Sequence, residues 1–206
     1  MKLLMNRLWL KSGVVGVVVL LSCIAVAMHR AHLGFIDTRP ISYLGLYPNT
    51  KFLFSSSLII SAVLFIAFGC YVKRYFKIRS IFLLYFVIGQ ICQIIVAVIP
   101  DKTGSSLKIV HTVAGFTLAF SLPFLMRELA HLKSASPYQR LYKALYRIEQ
   151  GAFIIGIGLF VSVRGIAPLG EALPTVGFDL WIVVVTATML MMQSGSTAHS
   201  KKRISR

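Results

Sequence analysis

Five side chains able to do acid–base or metal chemistry, His29, His32, Asp37, Asp101 and His111, fall in or beside the gaps between apolar runs. A zinc-type site needs three or four such ligands at workable spacing. No HExxH is present, and His29 and His32 stand three apart at the end of an apolar run, where the helical phase is undefined. His111 as a base beside Asp101 is the best acid–base combination, and the one a membrane-embedded hydrolase or transferase would use. Haem ligation needs paired His deeper inside helices, and only His29 and His111 come near that. No metal site and no cofactor is therefore assigned. Walker A, G-x-S-x-G and Gly-rich dinucleotide patterns are missing from the sequence. A different chemistry comes from Arg164 and Asp179, at the adjoining ends of consecutive apolar runs. Arg164 offers a planar fork for an anionic oxygen, such as that of a lipid headgroup. The plainer reading is a structural ion pair that fixes two helices.

The elements that must hold these groups are set by composition. The chain has 206 residues, is 57% hydrophobic and carries a formal charge of +16, with a mean hydropathy of +0.78. A soluble domain of this length cannot hide so much apolar surface. Six apolar runs, about 12–28, 52–72, 80–99, 109–126, 150–168 and 174–193, are each near the ~20 residues a membrane-spanning helix needs. The short alternating segments of a membrane barrel are lacking. Of the 22 Lys and Arg, 16 fall on the side of the two termini and 6 on the other. The positive-inside rule puts both termini in the cytoplasm. Basic residues interleaved with apolar runs point to anionic lipid rather than nucleic acid. The three Cys lie inside apolar runs, with no disulfide or CxxC pattern. Leu20-Leu21-Ser22-Cys23 faintly resembles a lipoprotein cleavage box. The apolar stretch continues to Met28, so the first run is read as a retained span.

Gln90 and Gln93 share a helix face near mid-membrane, as interhelical contacts or as a substrate contact in a small-solute transporter. Pro174 reads as the first residue of the sixth helix, with Asp179 a little over a turn inside. Residues 137–147 form a basic amphipathic helix that either lies in the interface or extends the fifth span. Residues 194–206 read as a disordered, basic cytoplasmic tail.

Ile41-Ser42-Tyr43-Leu44-Gly45, then Pro48, then Phe54 opening a helix of small and aliphatic residues, resembles the start of the bacterial and archaeal membrane family called domain of unknown function 998. Pro100-Asp101 before a helix that begins near His111 and Ala114 resembles the same family. That family is similar to the Frag/DRAM/Sfk-type six-helix membrane proteins. The resemblance implies six helices and an outward polar end, and no established reaction. The eukaryotic relatives imply a connection to lipids by analogy alone.

The reading is an all-α polytopic membrane protein. Residues 1–193 form a single bundle of six transmembrane helices, followed by the 194–206 tail. It is placed as a multi-pass protein of the inner (plasma) membrane, with membrane lipids as partners, no nucleic acid, and protein partners left open. A polar pocket at the outer helix ends is expected, lined by His29 or His32, Asp101, His111, Arg164 and Asp179 and roofed by residues 33–50. It would bind or handle a lipid or amphiphile. The alternatives are a lipid-headgroup hydrolase or transferase and a small-solute transporter.

Overall fold

A computed structural model describes residues 2–99, 106–132, 137–162 and 167–204, with side chains from 8 to 194. Asp101 and Arg164 lie outside the described residues. The elements are α1 (Lys2–Arg30), a short 3-10 turn (Ile41–Gly45), α2 (Lys51–Phe76), α3 (Ser80–Val98), α4 (Ser106–Ala130), α5 (Gln139–Ser162) and α6 (Ala167–Ile204). Six of these helices are long and apolar enough to cross a membrane, and no strand occurs among the described residues.

Two helix ends show how local chemistry sets the boundaries. His32 takes a left-handed φ of 49°, its N–H bonds the carbonyl of His29, and the Leu33 N–H reaches back to Met28. Lys77, with φ 54°, closes α2 in the same way, and the Ile78 N–H bonds Lys73. This crossed pattern satisfies helix carbonyls that would otherwise be orphaned. The hydrophobic residue that follows, Leu33 or Ile78, tucks into the core.

Consecutive helices pack side by side, and α6 returns against α1 to close the bundle. The half nearer the basic loops is densely filled. There Phe68, Phe178 and Trp181 stack or meet edge-to-face, and Phe76 meets Tyr142. Gly13 lets the Phe68 ring lie against the α1 backbone, since a Cβ there would stand 2.8 Å from the ring. Gln93 Nε2 donates to the Leu58 carbonyl and to Ser61 Oγ, tying α3 to α2. This is the interhelical role of a buried amide.

One of the two readings left open for 137–147 holds, and the ends of the sixth helix differ from expectation. The 137–147 segment is continuous with α5, which starts at Gln139, so it extends the span rather than lying apart in the interface. Its stripe of Tyr142 and Leu145 packs inward. The sixth helix starts at Ala167, with Pro168 in its first turn where proline is favoured. Pro174 is thus internal and cannot donate to the Gly170 carbonyl. That freed carbonyl lies against Gly156 of α5, where a Cβ would stand only 2.7 Å away. A neighbouring helix thereby covers the group that proline leaves open. α6 also continues to Ile204, where a disordered tail was expected, so its helix outlasts its apolar run.

Candidate functional site: a cavity between the helices

At the end of the bundle that carries the 3-10 turn, the helices part around a cavity of about 680 Å³. Its walls are mainly aliphatic and aromatic side chains from α1, α2, α4, α5 and α6. Polar groups gather near the mouth: His29 at the end of α1, Ser42 of the turn, His111 near the start of α4 and Glu171 near the start of α6. Asp179 lines the same cavity deeper, and Gln93 adds to the wall from α3.

The roof is a locally stapled loop. Ser42 donates from both N–H and Oγ to the Glu171 carboxylate, each at 3.0 Å. The Ala167 N–H bonds the carbonyl of Asp37 at 3.1 Å. Asp37 makes an ion pair with Arg39 at 2.7 Å, and Arg39 also donates to the Tyr47 hydroxyl. The Arg39 side chain holds the Asp37 carboxyl well below its usual range, at about 2. In return the carboxylate pushes the Arg39 guanidinium up. Asp37 is thus committed two residues away and does not join His29 and His111. Among the described residues, no three His, Cys, Asp or Glu side chains come together as metal ligands.

His111 is 6% exposed, and its Nδ1 donates to the carbonyl of Ile99, where α3 ends. A carbonyl only accepts, so this bond fixes the proton on Nδ1 and leaves Nε2 as the acceptor of the neutral ring. His29 is exposed and lines the mouth. His32 is not on the cavity: it is the left-handed residue that closes α1, and its carbonyl accepts from Arg39.

Asp179 sits at a different depth from the one expected. With α6 starting at Ala167, it is twelve residues in, about 18 Å along the axis at ~1.5 Å per residue. It is 3% exposed, and neither carboxyl oxygen has a hydrogen-bond partner among the described residues. Sequence reading missed Glu149. Taking the fifth span to begin at Gln150 left it in a loop. It is wholly buried in mid-α5, with both oxygens likewise unpartnered. Its carboxyl fills the space left by Gly177 of α6, which has no Cβ. The available signal was its phase, on the same stripe as Tyr142 and Leu145. Gln90, expected to share a mid-membrane role with Gln93, is fully buried and off the cavity lining.

The sequence model of one family, described as protein of unknown function (DUF998), matches residues 13–189. No curated protein and no solved structure matches the chain.

Proposed function

We propose that this chain, which belongs to the DUF998 family of membrane proteins of unknown function, binds a lipid or other amphiphile in the cavity between its helices. The observation that carries the reading is the cavity itself: about 680 Å³, walled by apolar side chains and polar at one end. Ligand sites typically fall in this size range, with few polar groups set in apolar walls. His29, His111 and Asp179 are the proposed contacts on the described wall. Arg164 and Asp101 are carried as candidates from sequence alone. Both termini are proposed to be cytoplasmic and the cavity mouth outward, in the inner (plasma) membrane, on the strength of the Lys and Arg distribution.

The reading is tested by filling the cavity. A Cβ at Gly115 meets nothing within 4 Å, and the residue lines the cavity. Gly115→Phe should therefore place a ring where the ligand lies and leave the helix packing intact. Native mass spectrometry of the protein released from lipid nanodiscs should show retained lipid, lost in Gly115→Phe. Equal retention by both proteins would refute the proposal.

A further inference from the structure

The charge of the cavity runs against that of the chain. The protein has 22 Lys and Arg against 6 Asp and Glu. Yet the described lining holds Glu171 and Asp179 and no Lys or Arg. Asp179 lines the cavity at 3% exposure, with both carboxyl oxygens unpartnered among the described residues. Glu149 of the neighbouring helix fills the space beside Gly177, two residues before Asp179 in the chain. An isolated carboxylate at that depth is expensive unless it takes a proton or meets a cation. The neighbouring wall is aromatic. Phe65 and Phe178 meet edge-to-face at 5.7 Å, and both line the cavity with Phe160. Aromatic faces attract organic cations, and such cations are cheap to strip of water.

We propose that the cavity binds a monovalent lipophilic cation, with Asp179 as its counter-charge. The proposal rests on the amphiphile reading and makes the ligand's charge positive, in place of the anionic headgroup expected of Arg164 from sequence. Without ligand, Asp179 carries a proton. When the cation enters, the carboxyl O–H bond breaks, its electron pair stays on the carboxylate and the proton leaves to water. One cation enters for one proton released, so the charge of the site is unchanged. Cation and proton therefore compete, and affinity rises with pH by up to about tenfold per unit. Among the described residues, the other ionisable groups lining this space are Glu171 of α6, His111 of α4 and His29 of α1, and Glu149 of α5 lies outside the lining. From α2 and α3 the cavity receives uncharged side chains. The Asp179 share of the slope is the part that Asp179→Asn removes.

The test uses two ions of one shape and opposite charge, tetraphenylphosphonium and tetraphenylborate, titrated into the full chain in mild detergent. The phosphonium should bind saturably, one per chain. The borate should bind at least tenfold more weakly. Phosphonium affinity should rise several-fold from pH 6 to pH 8. Asp179→Asn should weaken the phosphonium at least tenfold and flatten most of that rise. Equal binding of the two ions, or a pH-independent phosphonium affinity in the unsubstituted protein, overturns the inference without reliance on any variant that fails to fold. If lipid retention is lost in Gly115→Phe but the phosphonium does not bind, the amphiphile reading stands and the cation falls. If Gly115→Phe alters neither, the cavity reading itself fails.

Discussion

Gly156→Ala tests how closely α5 and α6 meet. A Cβ at residue 156 would stand 2.7 Å from the Gly170 carbonyl oxygen and 3.1 Å and 3.2 Å from the Pro174 ring, where ordinary contacts begin at 3.4 Å. The deficit of about 0.7 Å cannot be relieved by a rotamer change, because one partner is backbone and the other a closed ring. The helices must separate or tilt, and overpacking of this kind costs roughly 1–3 kcal/mol. Replacing helical glycine by alanine returns at most about 1 kcal/mol. With that full return the expected net loss is roughly 0–2 kcal/mol. Gly158 supplies the internal control: on the same helix, a Cβ there meets nothing within 4 Å. Gly158→Ala should be neutral or stabilising by up to about 1 kcal/mol. Both variants can be followed by reversible unfolding in mixed micelles with rising dodecyl sulfate, read by the fluorescence of buried Trp181. If Gly156→Ala and Gly158→Ala unfold at the same detergent fraction, the close approach of the two helices is wrong. The account of Pro174 then falls with it.

Three further outcomes are expected. Ser42→Ala removes the hydroxyl bond to Glu171 and keeps the backbone one. It should weaken the docking of the 41–45 turn by roughly 1–2 kcal/mol, seen as faster hydrogen exchange confined to that turn, and unchanged exchange would mean the bond is not formed. The Asp37 carboxyl sits near 2 rather than the ordinary 3.8, so its pairing with Arg39 contributes fully above about pH 4 and is lost as pH falls through about 2. Exchange across residues 36–40 should accelerate in that window, and Asp37→Asn should abolish the dependence while raising the rate at neutral pH. Asn49 and Arg79 are both exposed, in loops at opposite ends of the bundle. With Cys23, Cys70 and Cys92 replaced by serine, a cysteine at 49 should react with an impermeant maleimide in intact cells and one at 79 should not; the reverse pattern would invert the proposed orientation.

The spans were legible because membrane burial acts on long apolar runs, and such runs need no partner to be recognised. Their ends were less so. Pro174 was a reasonable helix start by local preference, since proline is favoured in a first turn. What keeps it inside α6 is Gly156 on another helix, and no property of the local stretch reveals that. The start of α5 was open between two readings for a related reason: Tyr142 and Leu145 are buried on one face while Arg140, Lys143 and Arg147 share the same turns, so mean apolarity falls where the helix continues. His32 looked like chemistry because histidines usually invite that reading, whereas here a left-handed backbone closes α1. Asp37 is the converse case: its partner is two residues away, and an Asp-x-Arg stretch in a loop already suggests an internal ion pair.

The two deep carboxyls mark where reading by residue type gives out. Asp179 stood out in the sequence, since an acid inside an apolar run is costly, but its depth depended on where α6 begins. Glu149 did not stand out, and what buries it is a register. Across the antiparallel pair α5–α6, Gly156 faces Gly170 and Glu149 faces Gly177. Both steps are seven residues, two helical turns, taken in opposite directions along the chain. Once the first contact is known, the second follows by counting. It explains why a glycine two residues before Asp179 is needed: any side chain at 177 would occupy the space that Glu149 fills. The seating of Glu149 against α6 is therefore a property of the helical hairpin. Its sequence trace is a glycine spacing of seven in α6, Gly170 to Gly177, matched by a glutamate and a glycine seven apart in α5.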